Sequence, residues 1–327
     1  MTRVLSGMRP TGPLHLGHWL GALDNWVKLQ ENHECFFMVA DLHALMGEYE
    51  NPELIHRYSV DMVLDWLACG VDPEKSALFI QSRIPEHAEL ALILGMMTPL
   101  GWLERNPTYK EQLREIEGRD LTTYGFLGYP VLQAADILLY KADQVPVGED
   151  QLAHLELSRE IVRRFKHFYK KDIFPEPKPL LTAQAKILGT DRRKMSKSYG
   201  NAIALSDLED ATRKKVQSMI TDPARVKMSD PGHPEVCNVY SYYKIFSAAS
   251  QVEAVYAWCT GARKGCADCK QSLADVLADK LSTIRKKREA IARDKGYVES
   301  VLEKGRARAS AVARNTMEEV RTLLHLG

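Results

Sequence analysis

The chain has 327 residues, enough for roughly two domains of about 150 residues each. Its composition, 45% hydrophobic and 27% charged with a net charge of +1, excludes collagen-like, disordered and disulfide-stapled classes and a globally basic nucleic-acid coat. No apolar run reaches the roughly 18 residues of a membrane span, and residues 1–7 hold no signal-like core, so a cytoplasmic protein with no membrane partner is expected.

The first half alternates short apolar runs with helical patterns. Residues 3–5 are a strand candidate, and residues 17–29 read as a helix with Trp19, Leu20, Leu23, Trp26 and Val27 at helical spacing. Residues 35–40 (CFFMVA) read as a buried strand, 56–69 as an amphipathic helix ended by Gly70, 77–81 as a strand, and 86–97 as a helix closed by Pro99. Residues 131–140 read as a helix, 144–147 as a strand, and about 150–165 as a further helix. Strands separated by helices predict an α/β fold with a Rossmann-like parallel sheet. Residues 174–180 (FPEPKPL) hold three prolines and are expected to be extended. After Ser206 strand signals fade and helical segments run to the end, which predicts an all-helical C-terminal domain. Residues 280–327 carry twelve Lys/Arg against six Asp/Glu. That excess suits contact with a phosphate backbone and equally suits a solvated helix face.

Neither G-x-x-x-x-G-K-[ST] nor G-x-G-x-x-G is present in the first strand–helix turn, so a nucleotide must be held another way. The segment Pro10-Thr11-Gly12-Pro13-Leu14-His15-Leu16-Gly17-His18 lies between the first strand and the first helix, at the carboxyl edge where parallel sheets bind ligands. Two imidazoles three apart share a helical face at a helix N-terminus. They suit either a metal ion or charge stabilisation on an α-phosphate. Gly17 leaves room for a flat ring against the backbone. Further on, Lys194-Met195-Ser196-Lys197-Ser198 follows Asp191-Arg192-Arg193 and makes a cationic loop suited to closing over a leaving pyrophosphate.

In this order, the two motifs resemble the signature of class I aminoacyl-tRNA synthetases. The segments Ser6-Gly7-Met8-Arg9-Pro10-Thr11-Gly12, Asp41-Leu42-His43-Ala44, 129–138 (YPVLQAADIL) and 145–151 (VPVGEDQ) are similar to those of bacterial-type tryptophanyl-tRNA synthetases. The resemblance implies a Rossmann-like domain over residues 1–200 that activates the amino acid with ATP. It implies a helical anticodon-binding domain over 201–305, and a C-terminal helix over 306–327 that packs back on the catalytic domain. It implies that His15, His18, Lys194 and Lys197 serve catalysis. ATP would be held by Arg9, Pro10, Thr11, Gly17, His18, Gly148, Glu149, Asp150, Ile187 and the loop Lys194, Met195, Ser196, Lys197, Ser198, with Mg2+ bridging phosphates. L-tryptophan would be held by Leu5, His43, Tyr129, Gln133, Asp136 and Gln151. Asp136, a carboxylate in an apolar helix, would accept the indole N–H, a group that only donates. The implied partners are tRNA(Trp) and a second copy of the chain, with residues 102–124 at the dimer interface.

Tyr129, Gln133 and Asp136 also fit the Tyr-x3-Gln-x2-Asp spacing of tyrosyl enzymes, because a tyrosine hydroxyl donates too. A tyrosyl enzyme is therefore the nearest alternative. A nucleotidylyltransferase with an H-x-G-H turn and a non-catalytic synthetase-like regulator that binds RNA or tryptophan are further ones.

Four of the six cysteines, Cys237, Cys259, Cys266 and Cys269, lie within 33 residues in the spacing C-x21-C-x6-C-x2-C. Such clustering in a cytosolic chain points to metal rather than disulfides. A single close pair favours a [4Fe–4S] cluster, with zinc and reduced free thiols as the alternatives. Some bacterial tryptophanyl enzymes resemble this arrangement. Cys35 and Cys69 read as core residues.

Overall fold

The computed structural model describes residues 1–107, 109–110, 122–181 and 187–326. They fall into two compact units. The first joins Met1–Gly12, Asn25–Ala183 and Asp294–Gly327, and the second joins Pro13–Asp24 and Gln184–Arg293. The linear division expected at residues 200 and 305 therefore differs from the compact units, whose boundaries along the chain fall at 12/13, 24/25, 183/184 and 293/294. Residues 13–24 belong to the second unit for a local reason: Leu16 N donates to Ile203 O at 3.1 Å and Leu205 N to Leu14 O at 2.8 Å.

The first unit is built on a parallel sheet in the order β3-β2-β1-β4-β5. The strands are β1 (Arg3–Met8), β2 (Glu34–Val39), β3 (Ser76–Ile80), β4 (Gln144–Val147) and β5 (Lys178–Leu181). Strand β2 is buried from Cys35 to Val39, the pattern of a parallel strand covered on both faces. Phe36 and Phe37 point to opposite sides. Phe37 stacks on Trp26 at 4.3 Å with Trp66 edge-on to Trp26, and Phe36 stacks on Tyr140 at 4.9 Å. One face thus packs three large rings and the other two.

The chain between β1 and β2 is helical in three pieces: α1 (Leu16–His18), a π-helical turn (Trp19–Leu23) and α2 (Asp24–Leu29). The expected single helix is interrupted there by the wider turn, a feature common at functional sites. Then come α3 (Asp41–Glu48), α4 (Pro52–Ala68), α5 (Glu86–Met97), α6 (Leu100–Glu104), α7 (Tyr124–Leu139) and α8 (Leu152–Tyr169). Helix α5 and strand β4 have the bounds read from sequence. Helix α7 starts seven residues earlier than the expected 131, with the Thr123 hydroxyl accepting from Phe126 N at 3.3 Å; Pro130 inside the helix masked that start. Helix α3 was not expected from the sequence. The proline-rich segment holds β5, an edge strand in which Pro179 costs no ladder bond on the open side.

In the second unit, α9 (Glu209–Gln217) and α10 (Asn238–Phe246) pack on the long α12 (Cys266–Arg293), and α11 (Ala249–Thr260) packs on α10. Val216, Tyr242, Tyr243, Leu273, Leu277 and Leu281 are fully buried there. Helix α13 (Tyr297–Leu324) returns to the first unit and covers β3. Among the described residues no helix is long and apolar enough to cross a membrane. Residues 108 and 111–121 of the expected dimer interface lie outside the described residues.

Helix α13 reaches β3 through a stripe of small residues, Gly305, Ala309 and Ala313, spaced one turn apart. A Cβ on Gly305 would stand 1.9 Å from the Leu78 carbonyl oxygen, backbone that cannot step aside. Gly305→Ala is expected to force the helix off the strand and to destabilise the protein by about 1–3 kcal/mol. A lower urea midpoint at unchanged slope is the measurement.

Candidate active site

In the sheet, β1 is flanked by β2 on one side and β4 on the other, so the chain departs in opposite directions from the carboxyl edge, the usual ligand position in such sheets. A cavity of about 290 Å³ opens there. Leu5, Gly7 and Arg9 line it from β1 and the following turn, Met38 and Ala40 from β2, and Val145 and Val147 from β4. Helices contribute His43, Tyr129, Gln133, Asp136 and Ile137, and Gln151 completes the wall. All six residues expected around the amino acid, Leu5, His43, Tyr129, Gln133, Asp136 and Gln151, therefore line one cavity, together with Arg9.

Asp136 is 2% exposed. Its Oδ2 accepts from His43 Nε2 at 2.8 Å, and its Oδ1 accepts from Gln81 Nε2 at 2.7 Å and from His87 Nδ1 at 2.6 Å. Burial alone would raise its pKa, but the bonds from His43 and His87 more than offset this and hold the carboxyl below its ordinary range. It is thus an ionised, acceptor-only group. His87 Nε2 meets the Tyr140 hydroxyl at 2.8 Å, and burial first, then the Asp136 charge, push that phenol well above its usual value. A second relay ends on Tyr129, which lies on the same helix as Asp136. Asn106 Nδ2 lies 2.9 Å from His154 Nδ1, and His154 Nε2 lies 2.5 Å from the Tyr129 hydroxyl. Gln81, His87 and His154 were not singled out from sequence. Each is a polar residue in an apolar stretch, which was the one signal available.

Pro10 is buried and Thr11 exposed just past β1, where Thr11 N donates to Arg9 O at 2.9 Å. Gly148 and the exposed Glu149 begin a single 3-10 turn after β4. The Asp150 side chain lies outside the described residues.

The second unit holds the other expected residues. His15 caps α1. Its Nδ1 accepts from Gly17 N at 3.1 Å, and its own backbone N donates to His18 Nδ1 at 3.2 Å. The rings stand 3.8 Å apart. With both Nδ1 atoms accepting, each neutral ring carries its proton on Nε2. Burial, then the Lys197 charge, lowers the His15 pKa to about 4; burial, then His15 and Lys197, holds His18 well below its ordinary value. Neutral donors, rather than two cations, therefore stand at this turn near pH 7. A Cβ on Gly17 would press on the His15 ring at 3.0 Å and on Ile187 at 3.4 Å. Gly17 is thus packed between the His15 ring and Ile187.

Met195 is buried while Lys194 is exposed and Lys197 half-buried. The loop is tied by Asn201, which the sequence reading passed over. Ser196 N donates to Asn201 Oδ1 at 2.9 Å, and Asn201 Nδ2 donates to Asp191 Oδ1 at 2.7 Å and to Lys194 O at 3.1 Å. The stem leading into it is held from α10, by Asn238 Nδ2 on Gly189 O at 2.8 Å and by the Tyr242 hydroxyl on Leu188 O at 2.6 Å. The Ser198 side chain lies outside the described residues.

Cys237 caps α10, Cys259 ends α11, and Cys266 and Cys269 share the first turn of α12. The thiols of Cys237, Cys259 and Cys269 are raised by burial first, and also by the charges of neighbouring cysteines; that of Cys269 reaches about 12. Arg225 Nη1 approaches Cys266 Sγ at 3.9 Å. Four thiols are thus electrostatic neighbours. Among the described residues, however, no three His, Cys, Asp or Glu side chains converge closely enough to hold a metal ion. The described geometry does not gather the four thiols into a ligand set, and burial favours the neutral forms of Cys237, Cys259 and Cys269. Cys35 is a buried core residue, as expected, and Cys69 is partly exposed.

The family described as tRNA synthetases class I (W and Y) matches residues 1–282. The chain belongs to this family of class I aminoacyl-tRNA synthetases. It is 52% identical to a tryptophan–tRNA ligase of Thermotoga maritima, covering 99% of both chains, and 44% identical to that of Aquifex aeolicus, covering 99% and 100%. A solved tryptophanyl-tRNA synthetase of Campylobacter jejuni, complexed with ADP and tryptophan, superposes with a TM-score of 0.91 at 31% identity, covering 99% and 100%. Within the family the chain is of the bacterial tryptophanyl type.

His15 gives this site a pH signature. The folded residue resists protonation down to about pH 4, whereas the unfolded one titrates near 6.5. Between those values the unfolded chain binds the extra proton, so stability is full above about pH 6.5 and is lost as pH falls toward 4. His15→Gln is expected to flatten that slope, as measured by urea midpoints across the same window.

Proposed function

We infer that the chain activates L-tryptophan with ATP and transfers it to tRNA(Trp). The carrying observation is its 42–52% identity, over nearly the whole length, to tryptophan–tRNA ligases. A tyrosyl enzyme is disfavoured: likeness to solved tyrosyl-tRNA synthetases stands at 22% and 20% identity and speaks for the fold alone. A purely regulatory protein would need neither the imidazole pair nor the cationic loop.

The tryptophan carboxylate attacks the α-phosphorus of ATP, pyrophosphate leaves, and the acyl group of the resulting adenylate then passes to the terminal ribose hydroxyl of tRNA, releasing AMP. No side chain need form a covalent bond, so positioning and charge stabilisation carry the rate. Asp136 accepts the indole N–H, with Leu5, His43, Tyr129, Gln133 and Gln151 around the amino acid. His15 and His18 donate Nε2–H to α-phosphate oxygens, and Lys194 and Lys197 neutralise the leaving pyrophosphate. Arg9, Pro10, Thr11, Gly17, Gly148, Glu149, Asp150, Ile187, Met195, Ser196 and Ser198 complete the ATP contacts. Mg2+ supplies charge neutralisation on the phosphates when bound.

The same reading makes the helical segment from 201 to 305 the anticodon-binding part, α13 its link back to the catalytic domain, and the working form a cytoplasmic homodimer. The four cysteines fit a metal by donor chemistry: they are partly buried thiols close to one another in the fold, and a [4Fe–4S] cluster suits their spacing better than zinc.

Pyrophosphate exchange should proceed with tryptophan and not with tyrosine. With the benzothienyl analogue, isosteric but lacking the N–H, kcat/KM should fall by about tenfold or more. Exchange with tyrosine alone, or with neither amino acid, overturns the reading. Anaerobically purified protein should contain about four iron and four sulfide per chain, lost on Cys266→Ser; zinc or no metal in the wild type refutes the cluster.

A further inference from the structure

The carboxylate of Asp136 has about four lone-pair directions, and three are taken by protein donors. The arrangement is lopsided. Oδ1 accepts two bonds, from Gln81 and His87, both 0% exposed and behind the cavity wall. Oδ2 accepts one, from His43, which lines the cavity beside Asp136. The free direction is therefore on Oδ2, the oxygen on the cavity side.

His87 fixes more than a distance. Asp136 can only accept, so His87 Nδ1 carries a proton and donates. Nε2 is then free to accept the Tyr140 hydroxyl proton at 2.8 Å. Tyr140 is itself fully buried and stacks on Phe36 at 4.9 Å, so the sheet core sets the position of the whole relay. Rotation of the His87 ring would break both bonds at once.

We propose that His87, backed by Tyr140, is the positioning residue that keeps Asp136 a pure acceptor aimed at the amino-acid side chain, and thereby selects an indole N–H. This rests on the reading of Asp136 as the indole acceptor. Without His87, burial acts on the carboxyl with one fewer opposing bond, and the group takes a proton at higher pH. A protonated Asp136 presents an O–H toward the cavity, where it meets an indole that has nothing to accept it. The groups facing Asp136 are His43 from α3, Gln81 after β3, His87 from α5 and Tyr140 at the end of α7, with Arg9 on the cavity rim and Glu86 near Tyr140. Among the described residues, His43, Gln81 and His87 bond the carboxylate directly.

The test is exchange kinetics against pH for His87→Leu, His87→Asn and Tyr140→Phe, beside Asp136→Asn. In His87→Leu the tryptophan KM should rise about tenfold at pH 7 and recover as pH is raised. The acid limb of kcat/KM for tryptophan should move toward neutral pH, while the ATP KM stays unchanged. His87→Asn, which keeps a donor near the Nδ1 position, should restore most of the loss. Tyr140→Phe should shift the limb in the same direction by a smaller amount, and it carries the test if His87→Leu does not fold. An unmoved acid limb in His87→Leu or, failing that, in Tyr140→Phe overturns the proposal. So does a loss spread equally over tryptophan KM, ATP KM and kcat. If Asp136→Asn leaves the tryptophan KM unchanged, the acceptor reading itself fails; if Asp136→Asn raises it and the His87 and Tyr140 variants do not, only the role of His87 fails.

Discussion

A carboxylate buried to 2% exposure cannot stand alone in an apolar wall: it needs hydrogen-bond donors, and the fold provides them from three separate elements. His43 comes from α3, Gln81 from the turn after β3, and His87 from α5. Strand order brings those elements to one edge of the sheet. Displacing any of them leaves an ionised group short of a partner, which costs several times a typical surface contact. The charge within this wall of the cavity tolerates few other arrangements of its three donors.

The second unit solves a different electrostatic problem. Two imidazoles 3.8 Å apart beside a lysine would repel if all were charged. Burial keeps both rings neutral, and backbone N–H groups occupy both Nδ1 atoms, so two N–H donors are left for an anion at no cost in mutual repulsion. The cationic loop is held in the same spirit. Asn201 and Asp191 tie its backbone, while Lys194 stays at the surface. Asn238, directly after Cys237, and Tyr242 hold the stem of that loop. The cysteine group is therefore one residue away from a contact that shapes the loop.

The alternation of strands and helices was legible because β2 is an unbroken apolar run of strand length and α5 an apolar run of helical length that stops before Pro99. Helix α3 was missed because it is short and follows β2 without a break. Strand β5 was missed because proline signals an extended chain but not that a partner strand lies beside it. The ring of side chains around the cavity was readable from motifs, yet the second layer was not. Gln81 and His87 carry no motif and lie 55 and 49 residues from Asp136.

Local chemistry is written in the sequence: two imidazoles three apart on a helix, two lysines in a small loop, a carboxylate in an apolar helix, four clustered thiols. Spacing along a helix fixes which side chains share a face, so the amino acids alone determine those groupings. Their charge states and tautomers were decided by the tertiary structure, because burial and distant donors set them. Asp136 is an acceptor because His87 and His43 arrive from elsewhere in the chain, and His15 is neutral because it is packed beneath Gly17 and near Lys197. Electrostatic energy depends on distance through folded space, and position along the chain does not specify that distance.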